Sequence, residues 1–329
     1  MIQTLTGRQA RAAWSDYWDL DGASEQRVVG GARHNAAFQQ FWQRELTDEF
    51  QTRKRMRVLD AACGDGAVTR QCVSISQDHP DCALDMHATD CSSGALAALG
   101  ALDLPVDPCL TAADARALPY ASGSFDCVLS QCGLEYAGLE AFEGAARLVA
   151  DGGRLLALVH YDKGLIHQEC ACDLDLLTAI GESGVFEQGK ALFDLQRLGD
   201  AGAVTPEAVE RAAAELGRRV SQINTSLGSQ PPGAACQHAQ HVFADFAGLC
   251  ARHAAYAPEQ ASQWLDFHQA DLTGFRMRME SMSGAAQSEA DLGGLVATLE
   301  RAGLGNVETH ALEAVDADLP LAWTLSAAA

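Results

Sequence analysis

Val58-Leu59-Asp60-Ala61-Ala62-Cys63-Gly64-Asp65-Gly66 is the stretch on which the fold turns. Its first half is apolar and closes on an acid; its second half is small residues leading into the amphipathic run Ala67 to Ile75. That order predicts a strand from Met56 to Asp60, a tight turn and a helix. Only small side chains let backbone approach a ligand closely at such a turn, and the helix behind it presents unpaired N–H groups. A glycine turn after a strand occurs in many nucleotide-binding folds and also serves as a plain structural connection, so its surroundings have to decide.

Working outward, the same alternation recurs. Leu84 to Asp90 reads as a second strand, Ser92 to Leu99 as a helix, and Val106 to Leu110 as a third strand. Phe125 to Ser130 reads as a fourth strand, Leu139 to Val149 as a helix, and Arg154 to His160 as a fifth strand after the turn Asp151-Gly152-Gly153. Repeated strand–helix alternation implies right-handed crossovers and a mainly parallel sheet with helices on both faces. Acids stand at or just past successive strand ends: Asp60, Asp90 and Asp114. A carboxylate at the second strand end can accept both hydroxyl protons of a ribose, and Asp114 can accept from an adenine amine. Three acids on one sheet edge define a ligand crevice at the topological switch point.

Upstream, the first fifty residues read as helical, with Trp14, Tyr17 and Trp18 on one turn and Phe38, Phe41 and Trp42 on a second segment ending near Phe50. Downstream, the alternation stops between about Asp162 and Gly284, where Ala, Gln, Glu and Leu recur at helical spacing, broken at Gly228-Ser229-Gln230-Pro231-Pro232-Gly233. A helix then resumes over Asp291 to Ala302, followed by strands at Asn306 to Leu312 and Leu319 to Leu325. The domain reading is a helical cap segment over 1–52, a core over 53–161 and 285–329, and a helical insertion over 162–284.

In order, VLDAACGDG, ATDCSSGAL, ADARALPYASGSFDCVLS and ARLVADGGRLLALVH resemble the class I S-adenosylmethionine-dependent methyltransferases, in particular the small-molecule enzymes related to the ubiquinone-biosynthesis C-methyltransferases. The resemblance covers Met56 to Tyr161 strongly and Asp291 to Leu325 weakly. It implies an α/β Rossmann-like, seven-stranded sheet of order 3-2-1-4-5-7-6 with the last strand antiparallel, and an insertion lying as a lid between strands five and six. It also implies S-adenosylmethionine as cofactor and S-adenosylhomocysteine as product. By the resemblance, Asp60, Ala62, Cys63, Gly64 and Gly66 line the methionine portion, Asp90 with its neighbour Cys91 takes the ribose, Asp114 and Ala115 face adenine, and Ser130 and Gln131 approach the methionyl amino group. Ala62 departs from the family, many members of which carry glycine there.

A sulfonium already activates its methyl group, so alignment and desolvation of the acceptor are most of what transfer needs. Phenol or alcohol acceptors also need a base. Candidates are His160 first, then Glu135 and His167; because they flank the expected pocket, oxygen is slightly favoured over nitrogen or carbon as the methylated atom. Glu135 as a helix cap and His160 as a hydrogen-bonded rim residue are the plainer readings. Tyr17, Trp18, Tyr136 and Tyr161 are acceptor-side candidates that would serve equally as packing, and Arg33 is a candidate for the methionyl carboxylate. Cys236, His238 and His241 lie at short spacing but lack a tight second pair, and no metal is expected.

With 23 Lys and Arg against 44 Asp and Glu, the net charge of −21 opposes the phosphate neutralisation that drives nucleic-acid binding. No segment approaches the ~18 to 20 apolar residues that span a bilayer, and the amino terminus has no apolar leader core. Eleven cysteines without a disulfide spacing fit a reducing compartment, so a cytoplasmic enzyme of a small-molecule acceptor is expected, with the oligomeric state, homodimer included, left open. Two alternatives remain: a reaction on the same cofactor fold other than methyl transfer, and a noncatalytic cofactor-binding protein.

Overall fold

The structure, a computed structural model, describes residues 13–18, 31–229, 233–252, 255–314 and 317–329. The chain divides into two compact units: Met1–Glu25 with Gly30–Gln168 and Ser281–Ala329, and Gln26–Val29 with Glu169–Glu280.

The first unit is built on one seven-stranded sheet. Its strands are β1 Arg55–Ala61, β2 Ala83–Asp90, β3 Cys109–Ala112, β4 Phe125–Gln131, β5 Val149–His160, β6 Gly305–Glu313 and β7 Pro320–Ala328. Their order is β3-β2-β1-β4-β5-β7-β6, as the resemblance implied. The five strands β1 to β5 pair in parallel, and β7 runs antiparallel to both β5 and β6. The apolar runs of β1, β4 and β5 are buried along most of their length, as expected for parallel strands covered on both faces. The third strand differs from expectation: it begins at Cys109 rather than Val106, because Pro105 and Pro108 lack the N–H that a ladder requires.

Helices cover the sheet. The long α1, Gly31–Thr52, buries Phe38, Trp42, Leu46 and Phe50 at steps of four residues, with Phe41 beside them, and packs against α2, Ala67–Gln77. Full burial of any one of those side chains is worth about 1.5 to 3 kcal/mol. Ion pairs tie the helix to the sheet, Arg154 reaching Glu45 at 2.9 Å and Arg53 bridging Glu49 and Asp126 at 3.0 Å each. Ser92 caps α3, Ser93–Gly100, by accepting from the Ala95 N–H. Farther along, α4 spans Leu139–Ala146, three residues shorter than the sequence pattern implied. The helix Glu289–Arg301 opens on a capping box between Ser288 and Asp291. Among the described residues no helix is long and apolar enough to cross a membrane.

The second unit is helical. It carries α5 Leu165–Glu182 from Glu169 onward, α6 Val185–Asp200, α7 Pro206–Ser229, α8 Ala234–Ala251 and α9 Pro258–Ala285 up to Glu280. Residues 230–232, the centre of the expected break, lie outside the described residues. Phe186, Phe243 and Phe246 form its aromatic centre, and Gly189 is required there because a methyl group would come within 2.7 Å of the Phe246 ring. His238 pairs with Asp271 at 2.6 Å and Lys190 with Asp266 at 2.5 Å.

Candidate active site

Parallel strands that end side by side place their last residues on one edge, and here β1, β2 and β4 end at Ala61, Asp90 and Gln131. The turn after β1 uses left-handed backbone at Ala62 (φ 57°), Gly64 (φ 54°) and Gly66 (φ 87°). Ala62 accepts that conformation at a cost of about 1 kcal/mol, so the departure from glycine leaves the turn intact. Gly66 is there for packing, since a methyl group would fall 2.4 Å from Leu99. Gly133, beyond β4, abuts Ala62 in the same way, its missing Cβ lying 2.7 Å from the Ala62 methyl.

The acids have distinct tasks. Asp90 accepts the Gly64 N–H at 2.9 Å and the Ser92 N–H at 2.8 Å, so it fixes the glycine turn from the neighbouring strand. Each carboxylate oxygen keeps lone-pair capacity for a hydroxyl. Asp60 is fully buried and accepts both the N–H and the hydroxyl of Thr69 through Oδ2. Burial, only partly offset by those two bonds, pushes its carboxyl up to about 7. Asp114 holds Arg116 with both oxygens, at 3.0 and 2.7 Å. Gln131 turns its amide oxygen to the Trp42 indole N–H at 2.8 Å.

Three buried polar atoms near these strand ends have no hydrogen-bond partner: Asp60 Oδ1, Thr89 Oγ1 and Ser130 Oγ, each on a residue about 1% exposed. Buried polar groups are normally paired, so unsatisfied atoms on three adjacent strand ends mark the edge where a polar ligand would be held. The small-lined turn, the acid at the second strand end and these orphaned atoms fit an adenosyl cofactor. Cys63 is buried, with its thiol pushed up by burial, and Cys91 is exposed; Ala115 is half-buried after β3.

Beside this edge lies a buried ion pair. Glu135, in the short 3₁₀ turn Leu134–Ala137, accepts both the backbone N–H of His160 at 3.0 Å and its ring Nδ1 at 2.7 Å. The two side chains are 1% and 4% exposed. Burial opposes the imidazolium charge, but Cys132 and Glu135 together outweigh it and raise His160 to about 10. In this state the ring is a proton donor, and a base role would first require it to lose that proton.

The structure brings together His160, Glu135 and Tyr136, whose ring meets the imidazole edge to face at 5.6 Å. Trp14 packs on Tyr136 at 5.6 Å, Tyr17 on Trp14 at 5.9 Å and Trp18 on Tyr17 at 4.7 Å. Trp18 also lies over the glycine turn, 3.0 Å from where a Cβ on Gly64 would stand. His167 sits half-buried on α5, with its Nδ1 lacking a hydrogen-bond partner. Tyr161 packs instead on Trp323 at 4.1 Å: strand side chains alternate, so the residue after His160 faces the other way. The Arg33 side chain lies outside the described residues. Cys236 bonds the Leu227 carbonyl and His238 is taken by Asp271, while His241 is exposed. Among the described residues, the group whose donor atoms do converge is Cys132, Glu135 and His160; sequence reading passed over Cys132, although its place just past the fourth strand was visible.

The sheet order β3-β2-β1-β4-β5-β7-β6 matches a Rossmann-like methyltransferase fold. Within the chain, residues 58–153 match the family model described as a methyltransferase domain. Comparison with curated proteins gives no match. Similar solved structures include the (4+2)-cyclase SpnF, at 22% identity over 35% of this chain and 43% of that one, with a TM-score of 0.29. Another is an S-adenosylmethionine dependent methyltransferase from Mesorhizobium loti, also at 22% identity, over 33% of this chain and 48% of that one, with a TM-score of 0.29. The matched stretch thus spans less than half the length of either.

Proposed function

We propose that the chain is an S-adenosylmethionine-dependent methyltransferase acting on a small-molecule acceptor. The observation that carries the reading is the set of orphaned polar atoms, Asp60 Oδ1, Thr89 Oγ1 and Ser130 Oγ, at the ends of strands whose turn is lined by Ala62 and Gly64. Asp90 and the glycine turn would hold the adenosyl and methionyl portions. When bound, the cofactor supplies an electrophilic methyl group on sulfur; the chain's part is to hold the acceptor in line, exclude water and govern protons.

The His160–Glu135 pair governs the proton. A protonated imidazole steadies developing negative charge on an acceptor by donating to it. It does not take a proton from a phenol or alcohol, so the pair lends no weight to oxygen over carbon or nitrogen. The charge of −21 speaks against a nucleic-acid acceptor. No disulfide joins any of the eleven cysteines, which supports work in a reducing compartment such as the cytoplasm.

The test is release of S-adenosylhomocysteine from S-adenosylmethionine in the presence of a metabolite panel that includes phenols, amines and conjugated ketones. Acceptor-dependent release supports methyl transfer. Cofactor that binds but is never turned over with any panel member favours a noncatalytic role, and conversion of an acceptor without that release favours a different reaction.

A further inference from the structure

Cys132 is the first residue past β4 and sits at φ 52°, a conformation that costs a residue other than glycine about 1 kcal/mol. Two features hold it there. Its N–H donates to the Leu158 carbonyl at 2.8 Å, and Gly133 after it is wedged against Ala62. The bend leaves Sγ within 4.8 Å of an imidazole nitrogen of His160, and a Glu135 oxygen lies within the same distance of both. A thiol against an imidazole whose ring is fixed by a carboxylate is the arrangement that activates a nucleophile.

Among the described residues no other thiol converges with an imidazole and a carboxylate in this way. Burial pushes Cys72 and Cys127 up, which leaves them inert, whereas Cys132 is half-buried beside a cation. A thiophilic metal would use the same three groups, but the ring nitrogen is already bonded to the carboxylate at 2.7 Å and would have to surrender its proton before ligating. The arrangement favours the nucleophile.

We propose that Cys132, activated by the His160–Glu135 pair, is a covalent nucleophile that adds to the β-carbon of a conjugated carbonyl acceptor, an assignment that rests on the methyl-transfer reading. A carbon acceptor has to be given electron density before it attacks a methyl group. The protonated imidazole cannot provide that by taking a proton; a thiolate adding to the neighbouring carbon can. The thiol proton leaves to solvent, the thiolate standing beside the imidazolium; its lone pair forms the S–C bond, and the alkene pair moves into the carbonyl to give an enolate that the imidazolium steadies. The enolate's pair then forms the bond from the α-carbon to the methyl as the methyl's bond to the cofactor sulfur breaks and leaves its electron pair on that sulfur. The α-carbon hydrogen leaves as a proton to solvent, the alkene re-forms, and the S–C bond breaks with its electron pair returning to the Cys132 sulfur. No oxidant or reductant is consumed.

The experiment is alkylation of the full chain at pH 6.5 with N-ethylmaleimide, itself a conjugated carbonyl compound, followed site by site by peptide mass spectrometry. Exposed Cys109 serves as the internal reference. Cys132 is expected to react at least about tenfold faster than Cys109 despite its lower exposure, and Glu135→Gln to slow Cys132 about tenfold while leaving Cys109 unchanged. Should that variant misfold, buried Cys72 would become reactive, and His160→Asn with Cys72 still protected takes its place. Cys132 reacting no faster than Cys109, or indifferent to its neighbours, overturns the proposal. Titration with S-adenosylhomocysteine separates the two readings: a fast Cys132 without cofactor binding sinks methyl transfer, and cofactor binding with a sluggish Cys132 sinks the nucleophile.

Discussion

Replacing Glu135 with glutamine preserves the shape of the buried pair and removes its charge. In the native chain His160 has its proton affinity raised to about 10, burial being outweighed by Cys132 and Glu135. The gap from the ordinary 6.5 corresponds to about 5 kcal/mol of preference for the imidazolium, an upper bound for what the neighbours contribute. Because the folded value lies above the unfolded one, this stability is fully present below pH 6.5 and is lost as pH rises through about 10. Without the carboxylate, burial acts on the ring with only Cys132 opposing it, so Glu135→Gln should bring the midpoint down by two or more pH units and cost roughly 3 kcal/mol of stability near neutral pH. Histidine-selective ¹⁵N labelling with NMR titration reads the ring directly. The native His160 signal should remain that of an imidazolium through pH 8, and the variant's should titrate below it. A native midpoint near 6.5, or the same midpoint in both proteins, would refute the ion-pair account.

Asp60→Asn should stabilise the cofactor-free protein. The Asp60 carboxyl is raised to about 7 by burial, so the folded state loses stability as pH climbs from about 4 to 7; the amide removes that loss. A gain of about 2 kcal/mol at pH 8, shrinking at pH 5, is expected in scanning calorimetry, and a loss at pH 8 would contradict it. Gly133→Ala places a methyl 2.7 Å from the Ala62 side chain and 3.0 Å from its carbonyl, both on the turn that faces the cofactor edge. It should lower stability by about 1 to 3 kcal/mol and weaken S-adenosylhomocysteine binding in the fraction that folds; unchanged affinity would separate the two turns. Trp18→Phe should diminish the change in tryptophan fluorescence on S-adenosylhomocysteine binding, since Trp18 lies directly over Gly64; an undiminished change would place the responding indole elsewhere.

The sheet was legible because its signals are local. An apolar run, a small-residue turn and an amphipathic helix repeat from Met56 to His160, and the order of the seven strands followed from the family those motifs resemble. The third strand was misplaced where Pro108 interrupts an otherwise strand-like run, and the backbone hydrogen-bond requirement overrode the apolar pattern. In the site, Glu135 and His160 were legible as residue types at strand ends, but not as partners. Twenty-five residues separate them, and they meet only because β4 and β5 are adjacent and aligned with Gln131 opposite Leu158. Cys132 escaped notice because nothing in its neighbours announces a left-handed backbone at a cysteine. Trp18 over Gly64 is a contact between distant segments, and an aromatic residue on a helical turn carries no mark of what it covers.

Calorimetric titration of the native chain and Asp90→Ala with S-adenosylhomocysteine tests the cofactor crevice most directly. One-to-one binding by the native chain, weakened in the folded variant by about 1 to 3 kcal/mol, is the expected result. Folded native protein that takes up no S-adenosylhomocysteine, or a variant that binds it equally well, would contradict the assignment of the strand-tip edge.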